Sequence, residues 1–127
     1  MAGEADGFKE FVLDQLGELR HVTCRAMFGG YGLYHQAQFF GIIHKGRLYF
    51  KVSPKTLPTY QKHSMKPFRP NPRQTLKSYY EVPIHVVEDR EQLAAWAEQA
   101  SQIPTRQLET RRAASFQNIR FSPHRTR

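Results

Sequence analysis

What this chain has little of bounds it first. It holds one cysteine, Cys24, in 127 residues. That excludes an intrachain disulfide and any multi-thiolate metal site, and it fits a reducing compartment. No apolar run approaches the roughly 20 residues of a membrane helix. The acidic start, with Glu4 and Asp6, does not read as a signal peptide, so the cytoplasm is the expected location. Repeats and low-complexity segments are missing too. Acids are outnumbered, 11 against 19 Lys and Arg, which leaves a net charge of +8. Such a balance favours nucleic acid, an anionic membrane face or an acidic protein as partner, or serves solubility alone.

What is there suits one domain with one modest core. Hydrophobic residues make up 39% and aromatics 13%, so Phe and Tyr supply much of the buried area. Phe8, Phe11, Val12, Leu16 and Leu19 recur at helical spacing. They predict a helix capped by Asp6 after a frayed lead-in over residues 1–6. Gly17 weakens its last turn, so it ends near Leu19 or Arg20. Val22, Cys24 and Ala26 then alternate with Thr23, Arg25 and Met27 as in a strand.

The stretch Met27-Phe28-Gly29-Gly30-Tyr31-Gly32-Leu33-Tyr34 is the pivot. Gly29 and Gly30 permit the positive φ of a chain reversal. Gly32 leaves a gap where a neighbour can approach closely. A turn at His35 to Gln38 leads into a strand over Phe39 to His44. Lys45-Gly46 signals a hairpin. Arg47 to Val52 returns, with Leu48, Phe50 and Val52 on one face and Arg47, Tyr49 and Lys51 on the other.

Ser53 is placed to cap a short helix with Pro54 in its first position, running on towards His63. Pro67, Pro70 and Pro72 exclude a helix or a central strand, so Met65 to Pro72 reads as an irregular basic loop carrying Lys66, Arg69 and Arg73. Leu76 to Val82 is a strand, with Tyr79 and Tyr80 facing opposite ways. Pro83 ends it, and Ile84 to Val87 reads as an extension at a sheet edge. Asp89 caps a last helix that buries Leu93, Trp96, Ala97 and Ala100. The expected class is α+β: an antiparallel sheet with an N-terminal helix and further helices packed on it. Residues 1–104 form the domain. Residues 105–127 form a basic tail, whose Arg106, Arg111, Arg112, Arg120, Arg125 and Arg127 face only Glu109.

No reaction is specified by these residues. The Gly29-Gly30-Tyr31-Gly32 stretch continues as strand, whereas a phosphate-cradling loop opens a helix. His21, His35, His44, His63, His85 and His124 are scattered without metal-ligand spacing; His44 reads as a half-buried hairpin residue. Arg25 beside Cys24 favours a lowered thiol pKa, but the alternation makes Cys24 a small core residue. Tyr31, Tyr34, Tyr49, Tyr79 and Tyr80 interleave with Arg25, Arg47, Lys51, Lys77 and Arg73. That pattern serves either sheet packing beneath a solvated basic face or base stacking. No cofactor, metal or catalytic residue is expected.

The order resembles the N-terminal domain of the TfoX/Sxy family of bacterial competence regulators. Arg25-Ala26-Met27-Phe28-Gly29-Gly30-Tyr31-Gly32-Leu33-Tyr34 carries the likeness, followed by Phe40-Gly41-Ile42-Ile43 and Leu48-Tyr49-Phe50-Lys51-Val52. Tyr79-Tyr80-Glu81-Val82-Pro83 and the helix with Leu93 and Trp96 extend it across roughly residues 8 to 104. The resemblance implies a helix, an antiparallel sheet and packed helices, no catalytic residues, and a link to expression of DNA-uptake genes, in some members alongside the cyclic-AMP receptor protein. Longer members append a second, helical domain; the arginine tail stands in its place here.

Three function classes follow. The first is a regulatory module that meets a transcription factor or DNA through a basic surface: Lys66, Arg69, Arg73 and the tail arginines Arg106, Arg111, Arg112, Arg120, Arg125 and Arg127. The second is a ligand carrier or small enzyme with a cleft beside Gly29, Gly30 and Gly32. The third is an interaction module pairing through Ile84 to Val87. The oligomeric state is left open.

Overall fold

The computed structural model describes residues 2–27 and 29–104, with side chains from residue 7 onward. The elements run α1 (Ala2–Gln15), β1 (Val22–Met27), β2 (Gly30–His35), β3 (Gln38–His44), β4 (Arg47–Lys51), α2 (Leu57–Lys62), β5 (Pro67–Asn71), β6 (Gln74–Glu81), α3 (Ile84–Val87) and α4 (Arg90–Ser101). The strands form one antiparallel sheet of six in the order β1-β2-β3-β4-β6-β5. The class is α+β, and no helix of the described residues is long and apolar enough to cross a membrane.

The first helix departs from expectation at both ends. It starts at Ala2, inside the expected lead-in, so Asp6 lies within it and is not its cap. Ala2, Glu4 and Ala5 are good helix formers and extend it backwards. It ends at Gln15, short of Leu19, where Gly17 turns back to bond the Asp14 carbonyl at 3.1 Å. The Arg90 guanidinium donates to that same carbonyl at 2.9 Å, which satisfies a helix-end acceptor from another element. Gln15 is buried and donates to the Val87 carbonyl at 3.0 Å, fastening α1 to α3.

The first four strands are hairpins with two-residue connections. Met27 pairs with Gly30, His35 with Gln38 and His44 with Arg47. Gln36 and Ala37 both take positive φ, 51° and 71°, as do Lys45 and Gly46 at 51° and 74°. Such pairs are the turn whose twist matches the strands. Gly29 also has positive φ, at 71°. Gly30 does not; it lies in the strand, and a Cβ there would run into the Ile43 carbonyl oxygen. Gly32 fills the expected role of a gap, since a Cβ would stand 2.9 Å from the Phe39 ring.

Helices cover one face of the sheet. Leu33, Phe40, Ile43, Leu48 and Phe50 meet Val12 of α1 and Leu16 just after it, Tyr60 of α2, Val86 and Val87 of α3, and Leu93 and Ala97 of α4 in the main core. The second face has its own smaller core of Met27, Ile42, Tyr49, Phe68, Leu76 and Tyr79. Phe68 closes it. Its ring lies 4.7 Å from Tyr49, two strands away, and 5.2 Å from His44, three strands away. The sheet therefore curls so that the β5–β6 hairpin bends over this face.

Three expectations in the second half are corrected. Met65 to Pro72 is not an irregular loop: it contains β5, an edge strand with two register shifts, which is where a sheet tolerates proline. Ile84 to Val87 is not a strand extension but the single turn α3. The Pro83 carbonyl accepts from Val86 and Val87 at 3.0 and 3.1 Å and starts that turn. Ser53 does accept from the N–H groups of Lys55 and Thr56, but this builds a turn, and α2 proper begins at Leu57. Asp89 caps α4 as expected, accepting from Glu91 and Gln92, both at 3.1 Å.

Candidate nucleic-acid interface

The β5–β6 hairpin is built to hold cations outward. Phe68 and Leu76 are paired and turn into the second core. The connection between Asn71 and Gln74 is clasped by side chains: Asn71 Oδ1 accepts from the Arg73 N–H at 2.9 Å, and Asn71 Nδ2 donates to Gln74 Oε1 at 3.0 Å. Asparagine favours such turns because its carbonyl bonds the backbone two residues on. Arg69 reaches across to the Pro72 carbonyl at 2.6 Å, which sets its guanidinium beside the turn. Lys66, Arg69, Arg73 and Lys77 are all exposed.

No acid balances them. The chain holds no Asp or Glu between Glu18 and Glu81, while that interval holds Arg20, Arg25, Lys45, Arg47, Lys51, Lys55, Lys62, Lys66, Arg69, Arg73 and Lys77. Glu81, at the end of β6, is already held by Arg47 through both oxygens at 3.0 and 3.2 Å. The other described ion pairs, Lys9 with Glu10 and Arg90 with Asp14, belong to the helical layer. Among the described residues, Lys66, Arg69, Arg73 and Lys77 have no carboxylate partner. Apart from Glu81 on β6, the acids of residues 1–104 thus lie on α1, α4 and the segments beside them, while the bases of the sheet, its hairpin and α2 have no other acid within their own elements. The acid-free interval was visible in the sequence; it is lost when charge is counted by tail and body instead of by element.

The interleaved aromatic and basic side chains do not form one surface. Tyr31 and Tyr80 pack with the helix-side core, and Lys9 stands 5.1 Å over the Tyr31 ring. Tyr49 and Tyr79 are buried on the second face. Burial, reinforced by the Glu81 charge, pushes the Tyr49 phenol pKa up. Tyr34 stays half-exposed, with Arg25 at 5.9 Å from its ring. It begins a row of rings through Phe39, at 5.2 Å, to Tyr79, at 5.7 Å from Phe39. Lys51, read as part of a solvated face, is 1% exposed: it pairs in register with Tyr79 and donates to the Ile103 carbonyl at 3.3 Å. Nothing in an alternating pattern signals that both faces of β4 are covered.

Gly29 sits in a reversal between strands and not at the head of a helix. Cys24 is half-buried against the main core, and burial raises its thiol pKa despite nearby Lys9; neighbouring Arg25 does not lower it. His44 is buried beside Phe68, more so than expected. The His63 and His85 rings meet at a tilt with centroids 5.2 Å apart, and His35 meets the Ser101 hydroxyl at 3.1 Å. Among the described residues no three of His, Cys, Asp and Glu gather as metal ligands. A cleft of about 350 Å³ lies between Val52, Ser53, Leu57, Lys77, Ile103 and Pro104. It opens at the opposite end of the strands from the glycine turn, where the ligand cleft was expected. Arg106, Arg111, Arg112, Arg120, Arg125, Arg127 and His124 lie outside the described residues.

No curated protein matches the chain. The family model described as the TfoX N-terminal domain matches residues 14–103, from the end of α1 through the whole sheet and α4. With that match over most of its length, the chain belongs to the TfoX N-terminal domain family.

Proposed function

We propose that this chain is a cytoplasmic, non-enzymatic regulatory module of the competence type that contacts DNA through the cations of its β5–β6 hairpin. One observation carries the reading: Lys66, Arg69, Arg73 and Lys77 are exposed and lack carboxylate partners among the described residues. Phosphates are the abundant anions such a surface attracts, and each neutralised phosphate releases counterions. The tail arginines add sequence-independent attraction. A transcription factor bound to the same DNA is the natural protein partner.

The test is the salt dependence of binding to a random duplex, read by fluorescence anisotropy with the full chain. Replacing Lys66, Arg69, Arg73 and Lys77 together by glutamine removes up to four phosphate contacts. The slope of log affinity against log salt is expected to flatten by about 3. Truncation after Pro104 is expected to flatten it independently without unfolding the body. A slope unchanged by the four glutamines overturns the reading.

A further inference from the structure

The two edges of the sheet differ in kind. The β5 edge is blunted by Pro67 and Pro70 and by two register shifts, the usual defences against further pairing. The β1 edge has none of them. Val22 to Met27 contains no proline, and its six pairs with β2 run without a shift.

Parity shows what this edge offers. The two-residue connection closes on the hydrogen-bonded pair Met27 and Gly30, so Met27, Arg25 and Thr23 bond β2. The Gln36 N–H to His21 carbonyl bond, at 3.2 Å, has the same parity. The N–H and C=O groups of Val22, Cys24 and Ala26 therefore point away from the sheet. Among the described residues nothing bonds them.

We infer that β1 is a homodimer edge, on which a second copy pairs antiparallel about Cys24. That register sets Val22 against Ala26 of the second copy, Cys24 against Cys24, and Thr23 against Arg25. The hydrogen-bonded positions are then the three residues whose groups point outward, so the ladder closes on both copies at once. No like charges stand directly opposite: Arg25 meets Thr23, the two Arg25 are diagonal neighbours on one face, and beside Cys24 stand both Lys9 and Glu10. Val22 and Cys24 are half-buried against the main core and extend it across the junction. The two-fold axis stands perpendicular to the sheet, so both curled faces, each with its basic hairpin, lie on the same side. A long duplex would then be met at two points, and bivalent contact exceeds either contact alone. This pairing does not depend on the DNA-binding reading.

Sedimentation velocity of the full chain between about 1 and 500 µM is the test. A monomer–dimer equilibrium is expected. Ala26→Pro, which removes one outward N–H and no bond to β2, is expected to abolish it with the circular dichroism spectrum retained. A wild-type monomer throughout, or a folded Ala26→Pro variant that still dimerises, overturns the inference. Hydrogen exchange on the wild type decides without any variant. The amides of Val22, Cys24 and Ala26 are expected to slow as concentration rises, and rates independent of concentration overturn the inference as well.

Discussion

The ring of Phe68 lies 4.7 Å from that of Tyr49, although β6 runs between their strands. This contact turns an open six-stranded sheet into one with a core on each face. It is also what carries the basic hairpin onto the second face.

Phe68→Ala removes the ring that closes the smaller core. Phe68 is fully buried, so the loss is expected to be about 3–5 kcal/mol. Denaturant unfolding followed by circular dichroism measures it. A loss below about 1 kcal/mol would mean the hairpin is held by something else.

The glycines separate by what surrounds them. A Cβ at Gly30 meets the Ile43 backbone oxygen, which cannot turn aside, whereas at Gly32 it meets the Phe39 ring edge at 2.9 Å and the Met27 methyl at 3.1 Å, which can. Gly30→Ala is expected to destabilise more than Gly32→Ala. Equal melting temperatures for the two variants contradict the register of β2 against β3.

Ala37 holds φ 71° in the β2–β3 turn, a conformation that costs a Cβ-bearing residue about 1–2 kcal/mol. Ala37→Gly relieves that cost and adds some chain entropy to the unfolded state. A net gain of about 0.5–1 kcal/mol is expected in urea unfolding. A loss would show that the alanine methyl makes a packing contribution.

Much of this architecture was legible beforehand, and the reason is locality. Lys45-Gly46, the alternation of Leu48, Phe50 and Val52, and the Asp89 cap are each encoded within a few neighbouring residues. What was hidden depends on distant partners. The prolines of β5 look like a loop until a curled sheet gives them an edge to occupy. Ile84 to Val87 has the β-branched look of a strand, and the Pro83 carbonyl turns it into a helical turn. The burial of Lys51 needs Tyr79 and Ile103 in place. For the candidate site, Lys66, Arg69 and Arg73 were legible as cations in an acid-free interval, while the capture of Glu81 by Arg47 needed the fold.

Asp89 gives a pH test. The Gln92 side-chain amide, then the backbone N–H groups of Gln92 and Glu91, hold its carboxyl below the usual value. The folded state thus favours the ionised form. The resulting stability is complete above the ordinary carboxylate pKa of about 3.9 and is lost as pH falls through the lowered folded value. The melting-temperature gap between wild type and Asp89→Ala is expected at pH 7 and to shrink by about pH 2. A gap of the same size at both ends contradicts the role of the ionised cap.

The most direct measurement of the account is an amide-resolved NMR titration of the full chain with a random DNA duplex. The distribution of acids and bases predicts that shifts concentrate on Lys66, Arg69, Arg73 and Lys77, with α1 and α4 silent. Shifts confined to the acid-bearing helices, with the hairpin unmoved, would contradict it.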